Sequence, residues 1–114
     1  MSLKIYHHPR CAKSRMALQF LEEYSYVPEL INYMKEGLRK EELEDLVAKT
    51  GLPIRELVRT SDALFKDNHD ATTFTEEMWF DLLVNNPSLL RRPIVINGNK
   101  AVVANPAELI DSIL

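Results

Sequence analysis

Hydrophobic and polar positions along this chain fall into short blocks whose spacing predicts alternating strands and helices. Leu3 to Tyr6 is an apolar run stopped by His7-His8-Pro9, which predicts a short buried strand. From Lys13 to Tyr24, residues Met16, Ala17, Phe20, Leu21 and Tyr24 recur at the spacing of one helix face, which leaves Cys11 at the entrance of that helix. Pro28 to Met34 carries Leu30, Ile31 and Tyr33 and predicts a second strand. The element between the two strands is long enough for a parallel crossover, so the chain opens as a βαβ unit.

The middle of the chain reads as helical. Lys40 to Lys49 places Leu43, Leu46 and Val47 on one face, and Gly51 supplies the left-handed residue that commonly closes a helix. A short helical stretch follows from Pro53 to Val58, and Asp62 to Thr73, with its Asn-His-Asp segment, is a polar surface connection with room for one helical turn. Thr75 is placed to cap the next helix, with Glu76 and Glu77 in its first turn and Phe74 packing back on Trp79; Pro87 ends it by Asn86. Pro93 to Ile96 and Lys100 to Ala104 flank Asn97-Gly98-Asn99, a strong hairpin signal that makes the last two strands antiparallel. Asn105-Pro106-Ala107-Glu108 offers a cap, a proline for the first helical position and an acid before Leu109, Ile110 and Ile113, which predicts a C-terminal helix. The order β-α-β, helices, β-β-α predicts an α/β, thioredoxin-like fold: a mixed four-stranded sheet flanked by helices, with a helical insertion at approximately 38–88 of a single 1–114 domain.

Composition narrows the class. At 114 residues with 46% hydrophobic and 27% charged positions, the chain has the material for one core. Its net charge of -3 and interspersed basic residues give no bulk attraction to a nucleic-acid backbone. No apolar run approaches the roughly 20 residues of a membrane span, and no signal-peptide pattern opens the sequence, so a cytoplasmic location is expected. With one cysteine no internal disulfide can form, and three histidines and one cysteine with no tight ligand spacing beyond His7, His8 and Cys11 give no expectation of a structural zinc site. No apolar stripe stands out, and a monomer is expected.

The chemistry concentrates in His7-His8-Pro9-Arg10-Cys11-Ala12-Lys13-Ser14-Arg15, a strand-to-helix junction. Unpaired N–H groups and the positive end of the helix dipole favour an anion at that point. Arg10, Lys13 and Arg15 add positive charge and Ser14 a hydrogen-bond donor, all of which favour thiolate, the reactive form of cysteine. His7 or His8 can assist as a charged neighbour or by orienting a loop group. The alternatives are that Cys11 is an inert buried thiol and that Lys13 and Arg15 are a solvated helix face. Farther along, Arg91-Arg92-Pro93 leads into a strand, and Arg59 follows Leu57-Val58.

With Cys11, Arg59 and Arg92-Pro93 placed, the sequence resembles the glutaredoxin-coupled arsenate reductase family, called ArsC-like, which also includes the Spx-type regulators. The carriers are Lys4 to Cys11 with Lys13-Ser14-Arg15, then Glu56-Leu57-Val58-Arg59, Asn86-Pro87, Leu89 to Val95, and the Pro106-to-Leu114 ending. The resemblance implies a thioredoxin-like fold with an inserted helical subdomain, an essential cysteine at Cys11 and a cis proline at Pro93. It further implies that Cys11 attacks arsenate, that glutathione as co-substrate displaces the product, and that glutaredoxin resolves the mixed disulfide, with no tightly bound cofactor. Arg59 and Arg92 would hold oxyanion oxygens, as guanidinium forks suit tetrahedral anions, and His7 would help form the thiolate. Lys13, Arg15, Pro93 and Asn105 complete the expected substrate-binding set. Two positions depart from the family pattern: Asn105 stands where the reductases carry a third arginine, and Ala12 where a glycine or small residue is usual.

Two other functions follow from the same residues. A glutathione-dependent thiol reductase would use the arginines on glutathione carboxylates, a reading that Asn105 favours. An Spx-like transcriptional regulator would bind RNA polymerase, but Ser14 occupies the second position of the Cys-x-x-Cys switch common in that branch. Regeneration of an oxidised Cys11 would then need an external thiol.

Overall fold

The computed structural model describes residues 2–67 and 70–114. Its elements run β1 (Leu3–Tyr6), α1 (Ala12–Glu23), β2 (Glu29–Ile31), α2 (Tyr33–Glu36), α3 (Lys40–Thr50), α4 (Ala63–Lys66), α5 (Glu76–Asn85), β3 (Ile94–Asn97) and β4 (Lys100–Val103). Four 3-10 segments lie at Ile54–Leu57, Ala71–Thr73, Pro87–Leu89 and Ala107–Ile113. The chain divides into two compact units, Met1–Glu36 with Arg92–Leu114, and Gly37–Arg91.

The first unit is the mixed sheet expected, in the order β2-β1-β3-β4. β1 pairs with β2 in parallel and with β3 antiparallel, and β3 pairs antiparallel with β4. The register sets Ile5 opposite Val95, so both point to one face, where they bury with Leu3, Ala17, Leu21, Ala107, Ile110 and Ile113. α1 and the C-terminal 3-10 segment cover that face. The hairpin closes through Gly98 and Asn99 between paired Asn97 and Lys100; Gly98 has φ 62°, as the first position of a II′ turn requires.

Three expectations about this unit are corrected. The buried face of α1 is Ser14, Ala17 and Leu21, whereas Met16 and Tyr24 are exposed; the helix ends at Glu23 and turns its tail outward. The second strand is shorter than predicted and is a sheet edge, with Leu30 exposed. Tyr33 belongs instead to α2, whose start is set by Asn32, its Oδ1 accepting the Lys35 N–H at 3.3 Å. The C-terminal segment is a 3-10 helix rather than an α-helix. Its buried residues Ala107, Ile110 and Ile113 are spaced by three, the repeat of a 3-10 turn. Asn105 is not its cap: Pro106 holds that position, and the Asn105–Pro106 peptide is cis. Asn97 Nδ2 donates to the Ile113 carbonyl at 2.6 Å and ties down the far end.

The second unit is helical, as the middle of the sequence predicts. α3 ends at Gly51, whose φ of 72° lets its N–H return to the Val47 carbonyl. Thr75 caps α5 by accepting the Met78 N–H, and Phe74 lies 4.6 Å from Trp79, centroid to centroid. Phe65 stacks on Trp79 at 5.6 Å and meets Phe74 edge-on at 5.9 Å, so the three rings form a triangle and the polar connection before α5 contributes a core residue. Within that connection Asn68 and His69 lie outside the described residues. Among the described residues, no helix is long and apolar enough to cross a membrane.

Candidate active site

β1 ends at Tyr6 and the chain turns through His7–Arg10 into α1, whose N-cap is Cys11 in extended backbone, φ -92° and ψ 121°. The Cys11 N–H donates to the His8 carbonyl at 3.0 Å, and its own carbonyl accepts the Arg15 N–H at 3.1 Å. The side chain is therefore held where the first amides of the helix have no partner within the helix. Partial burial pushes the thiol up. Against it act the Arg92 guanidinium, hydrogen-bonded to the sulfur, and the backbone N–H groups of Ser14 and Lys13, and the balance holds Cys11 below an ordinary thiol. Ala12 is the first residue of α1, so no positive φ is demanded of it.

Arg92 reaches the sulfur from the other end of the unit, one residue before Pro93 and two before β3. The Arg92–Pro93 peptide is cis, the conformation the resemblance implied for Pro93. The Pro93 carbonyl accepts the Ala104 N–H at 2.8 Å, so the end of β4 braces the segment that carries Arg92. Burial opposes the Arg92 charge, but the Cys11 sulfur and the Tyr33 hydroxyl favour it and keep the guanidinium firmly protonated. Tyr33 was not among the expected site residues. It is fully buried beside Tyr6, ring centroids 6.1 Å apart, with its hydroxyl toward Arg92. The capping Asn32 is the sequence signal that moves Tyr33 out of the strand and under this loop.

Ser14 and His7 form a second layer. Ser14 is fully buried, and its Oγ accepts the His8 N–H at 3.0 Å and lies 2.6 Å from His7 Nδ1. The Ser14 hydroxyl is thus hydrogen-bonded to both histidines, with the direction of its bond to His7 Nδ1 following the His7 tautomer. Burial lowers the His7 pKa, and the nearby Arg15 charge lowers it further. Of the two roles open to His7, orienting the loop is the one its surroundings favour, because a neutral ring adds no charge to the thiolate. Likewise Ser14 acts on the sulfur through its backbone N–H, since its hydroxyl is committed to the histidines. Lys13 and Arg15 are exposed; Arg15 donates to the Pro9 carbonyl at 2.9 Å and clamps the turn.

These features find counterparts in known proteins. The ArsC family model matches residues 6–113. The chain belongs to the ArsC family. An arsenate reductase of Haemophilus influenzae is 36% identical over 116 residues, with both chains covered in full. The Escherichia coli protein YfgD, itself described as uncharacterized, is 38% identical over 93% of this chain and 91% of its own. Among solved structures, an arsenate reductase from Vibrio cholerae superposes with a TM-score of 0.94 at 33% identity, covering 100% of this chain and 98% of that one.

The other ArsC-type positions are placed as follows. Asn105 lies two residues past β4, exposed, at the end of the sheet where Tyr6, Ile94 and Val103 are in register. Lys100 is at the opposite end of β4, roughly 10 Å away at about 3.4 Å per strand residue, and cannot stand in for a third arginine. Arg59 belongs to the helical unit, where its guanidinium pairs with Asp62 at 3.2 Å and donates to the Ser88 carbonyl at 3.3 Å. Arg91 donates to the Glu56 carbonyl at 3.1 Å in the same unit. Among the described residues no group of three or more His, Cys, Asp or Glu side chains is arranged to hold a metal ion.

Proposed function

We propose that this ArsC-family chain is a thiol-dependent arsenate reductase in which Cys11 is the nucleophile and glutathione and glutaredoxin supply the reducing thiols. The observation that carries the reading is the Cys11 sulfur held at the α1 N-terminus with the Arg92 guanidinium on it. That arrangement suits the first step. The thiolate attacks arsenic, an oxygen leaves as water, and the guanidinium fork that favoured the negative sulfur is adjacent to the negative oxygens that replace it. In the second step glutathione attacks the Cys11 sulfur. An S–S bond forms, the S–As bond breaks with its electron pair passing to arsenic, and arsenite leaves. Glutaredoxin then returns Cys11 to the thiol. Ser14 cannot take part in any S–S bond, and its hydroxyl is committed to the histidines, so regeneration from outside the chain is built into the sequence.

Single-turnover formation of arsenite from arsenate, with glutathione and glutaredoxin present, tests the reading. Cys11→Ser is expected to abolish it. Arg92→Lys keeps a charge but loses the fork, and is expected to lower the rate by about 10- to 100-fold. Equal rates for the wild type and Cys11→Ser would remove the proposal. Turnover of glutathione mixed disulfides without any arsenite would instead make the chain a glutathione-dependent thiol reductase, the function that Asn105 in place of a third cation favours.

A further inference from the structure

A cleft of ≈ 640 Å³ opens beside the nucleophile in the sheet unit. It is bounded by His8, Pro9 and Arg10 from the loop before Cys11, by Asn32, Met34 and Lys35 from the start of α2, and by the half-buried Arg92. The volume suits a small organic ligand rather than an inorganic oxyanion. Three of these side chains are cationic and the cleft has no acidic lining residue. Among the described residues neither Arg10 nor Lys35 is ion-paired with a carboxylate, although acidic residues outnumber basic ones in the chain by 17 to 14. Arg39, Lys40, Lys49, Arg55 and Arg59 each have a carboxylate within 4 Å, whereas Lys4, Lys13, Arg15, Lys66, Arg91 and Lys100 share the unpaired state of Arg10 and Lys35 among the described residues, so it is the gathering of cations in one cleft that sets this place apart. Arg92 links the cleft to the chemistry, because it both lines the cleft and is hydrogen-bonded to the Cys11 sulfur.

We propose that this cleft is the subsite for the incoming reductant, a small peptidyl thiol bearing carboxylates. Its carboxylates sit on Arg10 and Lys35, the Asn32 side chain faces its amide groups, and its aliphatic part lies along Pro9 and Met34. The sulfur is thereby directed toward Arg92 and Cys11. The proposal rests on Cys11 being a thiol-exchanging nucleophile. The arrangement separates two anion-binding tasks: the half-buried guanidinium serves the oxyanion and the sulfur, and the two exposed cations select the thiol. It also gives the missing third arginine at Asn105 a context, since a cationic reductant site already lies on the β2 side of the loop. Charge-assisted contacts of this kind are worth about a factor of two to five each at an exposed site, so the pair should amount to about tenfold in selectivity.

The test uses the thiol–disulfide half-reaction alone and needs no arsenate. Reduced protein is mixed with oxidised glutathione or with the neutral hydroxyethyl disulfide, and modification of Cys11 is followed by intact mass. In each case the Cys11 thiolate attacks one sulfur, a new S–S bond forms, the old one breaks and the departing half leaves as a thiolate that takes up a proton. The rate with the neutral disulfide is the internal reference for thiolate reactivity, so a general change at Cys11 cancels in the ratio. The expected result is that the ratio of glutathione disulfide to neutral disulfide falls about tenfold in the Arg10→Gln/Lys35→Gln double variant, and falls in the wild type as salt is raised. Both side chains are exposed, which keeps the substitutions compatible with the fold. A ratio unchanged by the double substitution overturns the subsite. If arsenite fails to form in the single-turnover assay while the ratio still falls, the arsenate reading is lost and the subsite stands; if arsenite forms while the ratio does not move, the subsite is lost and the arsenate reading stands.

Discussion

At the scale of single residues, the site is a set of short polar contacts that tie the loop before α1 to itself and to that helix. Ser14 shows this most directly. Its hydroxyl accepts from the His8 N–H and is hydrogen-bonded to His7 Nδ1 in a fully buried position. Ser14→Ala would leave the His8 N–H and a buried imidazole nitrogen unpaired, and is expected to cost about 1–3 kcal/mol in urea unfolding. Ser14→Thr, which keeps the hydroxyl, should recover part of that loss if the added methyl is accommodated. The pH dependence follows from His7. Its pKa in the folded protein lies below the ordinary 6.5 that it regains on unfolding. Below 6.5 the unfolded chain therefore binds a proton that the folded chain refuses, so stability is complete above that value and declines as pH falls from it toward the folded pKa. Melting temperatures of the wild type are expected to drop between pH 7 and pH 5 more steeply than those of His7→Gln; parallel profiles would show that His7 is not held neutral.

At the scale of elements, the helices and turns behave as their sequences dictate where a single residue sets the boundary. Gly51 closes α3 with φ 72°, and nothing lies within 4 Å of where a Cβ would be. Gly51→Ala should therefore cost only backbone strain, about 1–2 kcal/mol, measured by thermal or urea unfolding. The strands, the hairpin at Gly98 and the capped α5 are legible in the sequence for the same reason: each rests on a local signal. What is less legible depends on contacts distant in sequence. Met16 and Tyr24 have helical spacing with the rest of α1, but the sheet covers only the Ser14, Ala17 and Leu21 side. Tyr33 carries strand propensity, yet Asn32 starts a helix that sends it under Arg92. The 3-10 C-terminus is written in the spacing of Ala107, Ile110 and Ile113, although the more prominent Leu109-Ile110 pair suggests an α-helical face; Leu109 is exposed. Cys11 at a helix entrance is readable from sequence, whereas the direct contact with Arg92, about 80 positions on, needs the register of β1 with β3.

At the scale of the whole molecule, the net charge of -3 and the field at the thiol have opposite signs. Arg10, Lys13, Arg15, Lys35 and Arg92 all belong to the sheet unit, and Arg10, Lys35 and Arg92 line one cleft. A reagent's charge should then matter more than the protein's overall charge suggests. Iodoacetate, an anion, is expected to gain on neutral iodoacetamide at Cys11 relative to the same comparison on a free thiol, and the gain should shrink as salt screens it. A ratio equal to that of the free thiol would mean that the cations do not act together. The helical unit carries its own reporter, because Trp79 is the sole tryptophan and is buried in a three-ring cluster with Phe65 and Phe74.

The central claim is that the Cys11 sulfur is negative at neutral pH because Arg92 and the first amides of α1 act on it. The rate of iodoacetamide alkylation as a function of pH, read on the wild type and on Arg92→Gln, measures this directly. A midpoint below the ordinary cysteine value of about 8.5, shifted upward when Arg92 is replaced, is the result predicted. A wild-type midpoint at or above that value, or one that does not move in Arg92→Gln, would contradict the account.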